Sequence, residues 1–168
     1  MSLRRAGDDC SLQNVVVNGG LRVTGGTFDL QNSLVNGGLR ITGGTAPNDL
    51  CGNNINGGVR VIGTNESGSY DFGEANADPF CTGGTINGGV RFINNNALFL
   101  EVNGYVVHGR VVDTGNTLDP GGLNETESTE VHGSAVCVNN SPDVINDIDM
   151  DGAPGPNSYT GHNFGCPL

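Results

Sequence analysis

Six short segments of this chain share one pattern, and that pattern restricts the fold more than anything else in it. Residues 18–23 read Asn-Gly-Gly-Leu-Arg-Val, and 36–41 read Asn-Gly-Gly-Leu-Arg-Ile. Residues 56–61 read Asn-Gly-Gly-Val-Arg-Val, and 87–92 read Asn-Gly-Gly-Val-Arg-Phe. Fainter copies start at His108 and His132, and successive starts lie 18, 20, 31, 21 and 24 residues apart. A period near 20 is too short for paired-helix repeats, which need about 33 residues or more. It suits one coil of a β-solenoid.

Within a unit the rhythm is two. Val15, Val17, Leu21 and Val23 are expected to point inward around a turn at Asn18-Gly19-Gly20, with Thr27, Phe28 and Leu30 in the next extended piece. One such coil buries almost nothing. Stacking coils at about 4.8 Å pairs each backbone with the coils above and below and sets equivalent side chains in ladders. Asn18, Asn36, Asn56 and Asn87 are expected to stack at one corner through their amides, with the following glycines supplying positive φ. Arg22, Arg40, Arg60 and Arg91 form a second ladder on an outer face. Like charges side by side repel, so this ladder needs counter-anions. Either neighbouring carboxylates and guanidinium stacking satisfy it, or it is a binding stripe for an anionic polymer or a partner subunit's carboxylates.

Composition agrees with this reading. Of 168 residues 29 are glycine and 22 asparagine, both weak helix formers. Lysine is absent and the formal net charge is −11, which argues against a nucleic-acid partner. No stretch approaches the roughly 18–20 apolar residues of a membrane-spanning helix.

The long interval predicts an insertion at 65–80, and a second is expected at 119–130. Insertions at one phase emerge on one edge of a solenoid, so Glu66, Asp71, Glu74, Asp78, Glu125, Glu127 and Glu130 are expected to form acidic loops there. Tyr70, Phe72 and Phe80 in the first insertion carry the expectation of a glycan-stacking platform. Residues 1–13 read as a lead-in or cap, 14–137 as repeats, and 138–168 as a C-terminal cap and tail.

Of five cysteines, Cys51 and Cys81 flank the coil with the long insertion, and Cys137 and Cys166 bracket the tail. Bonds within these two pairs would leave Cys10 free and imply an oxidising compartment. The N-terminus shows no apolar leader segment, which fits either a removed leader or another route of export or assembly, as in a virion or appendage subunit. Asp147, Asp149 and Asp151 followed by Gly152 resemble the Asp-x-Asp-x-Asp-Gly loops of extracellular calcium-binding repeats. That resemblance makes the three aspartates calcium ligands, with Asn146 or Asp143 as supplements and a structural role for the ion. His108 and His132 fall at the corner position in adjacent coils and, with His162, are weaker metal candidates. No nucleophile elbow, phosphate loop or His-Glu-x-x-His segment is present.

The repeated units resemble parallel β-helix proteins at the level of architecture, and their short glycine-punctuated coils are similar to those of bactofilin-like polymers. The resemblance implies an all-β, single-domain parallel β-solenoid of about six coils, right-handed. The expected role is a non-enzymatic structural or adhesive module at the cell surface or outside the cell, able to self-associate. The alternatives are a carbohydrate-binding module using the inserted loops, or a small polysaccharide-active β-helix enzyme.

Overall fold

The computed structural model describes residues 2–3, 9–43, 48–73, 81, 83–146 and 156–168, with the backbone alone for 2–3 and 65–67. All elements are short parallel strands in three sheets. Sheet I contains β1 (Ser2–Leu3), β4 (Leu21–Val23), β7 (Leu39–Ile41), β10 (Val59–Ile62), β13 (Val90–Ile93), β16 (Val111–Thr114), β19 (Ala135–Val138) and β21 (Asn163–Phe164). Sheet II contains β2 (Asp9–Gln13), β5 (Thr27–Gln31), β8 (Asn48–Cys51), β11 (Asn65–Phe72), β14 (Asn96–Asn103) and β17 (Thr117–Glu127). Sheet III contains β3 (Val16–Val17), β6 (Leu34–Val35), β9 (Asn54–Ile55), β12 (Thr85–Ile86), β15 (Val106–Val107), β18 (Glu130–Val131) and β20 (Ser158–Tyr159). The chain runs II to III to I and repeats. Six passes through sheet II are separated by about five turns of a β-solenoid. No helix occurs among the described residues, so none is long and apolar enough to cross a membrane.

The interior is built from in-register rows. Leu30, Leu50, Phe72 and Val102 form one row of sheet II. Val35, Ile55, Ile86, Val107 and Val131 form the row of sheet III. Val23, Ile41, Val61 and Phe92 form one row of sheet I, and all these side chains are buried. Full burial of a Val, Leu, Ile or Phe side chain stabilises by about 1.5–3 kcal/mol each, so stacking supplies what an isolated coil lacks.

Each corner has its own chemistry. Between sheets III and I the Asn-Gly-Gly units form the expected outer ladder. Asn36 Nδ2 donates to Asn18 Oδ1 at 2.9 Å, Asn56 to Asn36 at 2.9 Å, and Asn87 to Asn56 at 2.8 Å. The glycines serve a different purpose from the one expected. Among those of the four Asn-Gly-Gly units only Gly19 has positive φ. At Gly57 a Cβ would lie 2.6–2.7 Å from backbone atoms of Gly37 and Gly38, so these corners need glycine because coils touch backbone to backbone. The other two corners hold the left-handed residues, for example Asn32 (φ 47°) and Gly104 (φ 65°) between sheets II and III. They also carry inner amide ladders. Asn116 Oδ1 accepts from the backbone N–H of Asn95 at 2.9 Å, while Asn140 Oδ1 accepts from that of Asn116 at 3.0 Å.

Three boundaries differ from expectation. Residues 65–72 form β11, paired with β8 and β14, and are not an inserted loop. Register shifts occur between Asn65 and Ser69, but most of this coil's extra length falls after the strand: Thr85 lies thirteen residues after Phe72, where its partner Asn54 lies four after Leu50. Likewise 117–127 is β17, with its irregularity opposite Ala97 and Phe99. The tail also returns to the solenoid. β20 pairs with β18 and β21 with β19, and Gly161 N–H donates to Gly133 at 3.0 Å, placing Thr160-Gly161-His162 at the Asn-Gly-Gly corner. Two disulfides, Cys51–Cys81 and Cys137–Cys166, have Cα separations of 5.1 and 4.8 Å, and Cys10 is free and half-buried.

Candidate functional site

The arginine ladder forms as expected. β4, β7, β10 and β13 are paired in register through Arg22, Arg40, Arg60 and Arg91. Each strand alternates buried, exposed, buried, which sends the apolar neighbours inward and the four arginines into solvent. Successive Cα atoms are one strand spacing apart, about 4.8 Å. Among the described residues none of these arginines forms an ion pair; the pair present is His132 Nε2 to Glu130 Oε1 at 2.7 Å. Beside the ladder the corner glycines Gly20, Gly38, Gly58 and Gly89 leave a floor without side chains. A groove of ≈ 240 Å³ opens there, lined by Gly38, Leu39, Arg40, Gly58 and Arg60. The exposed Asn18–Asn87 amide ladder runs along the same corner. The ladder stops at Arg91, because its column continues as Val112 and Val136, with Phe164 after them. Arg110 takes the place of the floor glycine in the next coil.

Sheet II carries a second ladder, of acids. Asp29, Asp49, Asp71, Glu101 and Glu125 are successive register partners on its outer side, with Ser11 ahead of them. Asp29 to Asp71 are half-buried, and Glu101 and Glu125 are 4% and 2% exposed. Two unit charges one rung apart repel by about 3 kcal/mol at an effective dielectric of about 20. Burial, then the neighbouring Asp29, raises Asp49 to about 6. Burial and the adjacent acids push both Asp71 and Glu101 upward, and the two carboxyls share a hydrogen bond that needs a proton on one of them. Burial and mutual repulsion favour the protonated forms of Asp49, Asp71 and Glu101. Asp29 is also held by Ser11 Oγ at 2.8 Å and Gln31 Nε2 at 3.3 Å. Another acid lies inside: Asp113 is 2% exposed, raised to about 6 by burial, and bonded by Asn116 Nδ2 at 2.7 Å and Asn124 Nδ2 at 3.3 Å.

The acid ladder has a readable sequence signal when each unit is counted backward from its corner. Seven residues before Asn18, Asn36, Asn56, His108 and His132 stand Ser11, Asp29, Asp49, Glu101 and Glu125. Counting forward hides this, because the coils vary in length after the corner. Asp71 lies sixteen before Asn87 and joins the ladder only in the fold.

Other expected features are redistributed. Tyr70 and Phe72 are 0% and 1% exposed, since both alternate positions of β11 that carry aromatic rings face the core. Phe72 packs 5.4 Å from Phe92. They form no surface platform, and Phe80 lies outside the described residues. Among the described residues the acids do not collect in edge loops: Asp71, Glu125, Glu127 and Glu130 belong to strands, and Glu127 is 6% exposed, while Glu74 and Asp78 lie outside the described residues. Asp147, Asp149 and Asp151 lie outside the described residues. His108 stacks on His132 with ring centroids 4.9 Å apart, and no group of three metal-ligating side chains converges among the described residues.

Fold and ladders together define a disulfide-stapled parallel β-solenoid with an arginine row on one sheet and an acid row on another. Comparison with known proteins finds no matching family, no matching curated protein and no matching solved structure.

Proposed function

We propose that this protein is a non-enzymatic structural or adhesive module that works outside the cell, at a surface or on an appendage. One observation carries the reading: four exposed arginines stand in register on a rigid parallel sheet with no ion-pair partner among the described residues. A periodic charged row on a rod suits recognition of another repeating surface. Two disulfides favour an oxidising compartment. The acids of sheet II favour a structural role over catalysis, because Glu101 and Glu125 are sealed from substrate and their neighbours are shared along the ladder. Self-association and calcium at Asp147, Asp149 and Asp151 belong to the same proposal.

Negative-stain electron microscopy of the purified chain, with and without calcium, together with a reducing-end assay on a polysaccharide panel, tests this. Ordered fibres or arrays, or surface retention without sugar release, are the expected results. Turnover of any polysaccharide by the pure chain overturns it.

A further inference from the structure

The arginine row and the asparagine row run along one glycine-floored trough, whose measured part is lined by Gly38, Leu39, Arg40, Gly58 and Arg60 on the arginine side. The unit Asn-Gly-Gly-Leu-Arg places an amide on one side, two residues without side chains in the middle, and a guanidinium on the other. The register repeats this for four coils, from Asn18 and Arg22 to Asn87 and Arg91. The groove already measured at Gly38, Arg40, Gly58 and Arg60 is the central part of that trough.

We infer that this trough binds an extended acidic polysaccharide of the polyuronate class, laid parallel to the solenoid axis. This rests on the adhesive reading above and names its ligand. A polyuronate carries one carboxylate per sugar ring at a repeat close to the strand spacing, so successive or alternate carboxylates fall opposite guanidinium groups. Four rungs span about 14 Å, the length of a few sugars. Guanidinium takes a carboxylate through two parallel N–H donors. Asn36, Asn56 and Asn87 each spend one amide hydrogen on the preceding rung and keep a second for a ring or hydroxyl oxygen. The glycine floor lets the sugar ring approach the backbone, which any side chain would prevent. A neutral glycan gains nothing from the arginine wall. Nucleic acid is disfavoured by the net charge of −11 and by the lack of exposed aromatic rings at the trough. A second copy of the chain is a poorer occupant, because the deeper half of its acid ladder is buried.

The test is calorimetric titration of the intact, oxidised chain with oligogalacturonate, with neutral maltooligosaccharide as control. The expected result is saturable oligogalacturonate binding, none to the neutral chain, and weakening of at least about tenfold in R40Q/R60Q. The R40K/R60K variant keeps the charge and loses the paired donors, so it should fall between. Circular dichroism of both variants should match the parent, since both side chains are exposed. Equal affinity in parent and R40Q/R60Q, or no binding by the parent, overturns the polyuronate site and leaves the adhesive role standing on microscopy and the reducing-end assay. Sedimentation separates the other occupant: oligomers that dissolve in D29N/D49N would give the row to a second copy and overturn the inference.

Discussion

Asp71 on β11 and Glu101 on β14 are direct register partners, and their carboxyls share a hydrogen bond. The contact exists only while at least one of the two acids is protonated. Asp49 and Asp29 extend the row on one side, and Glu125 on the other, with Glu127 two residues further along β17.

The folded-state pKa values of Asp49, Asp71 and Glu101 are raised, so the folded chain binds more protons than the unfolded one. Their contribution is fully present below about pH 4 and is lost as pH rises through the folded values, about 6 for Asp49 and higher for the pair. Unfolding monitored at pH 5 and pH 8 should show the midpoint falling toward pH 8. E101Q keeps a donor to Asp71 and removes one charge. It should flatten this slope and stabilise at pH 8 by about 1–2 kcal/mol. A midpoint that rises from pH 5 to pH 8 in the parent would exclude proton sharing.

The inner and outer amide ladders should differ in cost. Asn116 is 1% exposed and its side chain bonds the Asn95 backbone, Phe92 carbonyl and Asp113 carboxylate. N116A strands the buried Asn95 N–H and leaves the buried Asp113 carboxyl with its longer bond from Asn124, which should cost about 3 kcal/mol or more. N36A breaks two exposed amide contacts and should cost less than about 1 kcal/mol. Denaturant titration of the two variants reads this difference directly.

Backbone contact at the corners makes an equally sharp comparison. G57A puts a methyl group within 2.7 Å of the preceding coil's backbone. That coil cannot yield without breaking its own pairing, so a loss above about 3 kcal/mol or failure to fold is expected. G63A meets nothing within 4 Å and bears only the strain of φ +63°, about 1–2 kcal/mol. Similar stability of the two variants would refute the close-approach account.

The Cys137–Cys166 bond closes a 29-residue separation and ties β21 to β19. C137S/C166S should lower stability by about 3 kcal/mol. Hydrogen exchange should quicken at the amides of 158–164 and change little in β4–β13, since each coil contacts chiefly its neighbours.

How far the residues alone disclose this molecule varies from row to row. The Asn18–Asn36–Asn56–Asn87 and Arg22–Arg40–Arg60–Arg91 rows were legible because both sit at constant distance from a rigid corner. Tyr70, Phe72 and Asp71 were misplaced because the loop-like stretch Asn65–Phe72 pairs as a strand, whose alternation turns Tyr70 and Phe72 inward and Asp71 outward. Thr160-Gly161-His162 was missed because the coil it closes shares the corner and little else with the repeat.

Period, corner chemistry and alternation are local quantities, and they determined the solenoid and its arginine row from sequence; they left the disulfide connectivity open, and the structure pairs Cys51 with Cys81 and Cys137 with Cys166. Register across coils of unequal length is not local. Only the packed coils decided that acids 20, 22, 30 and 24 residues apart would stand side by side and share protons. The reason is that backbone pairing aligns strands by hydrogen bonds to the neighbouring coil, whatever number of residues lies between them.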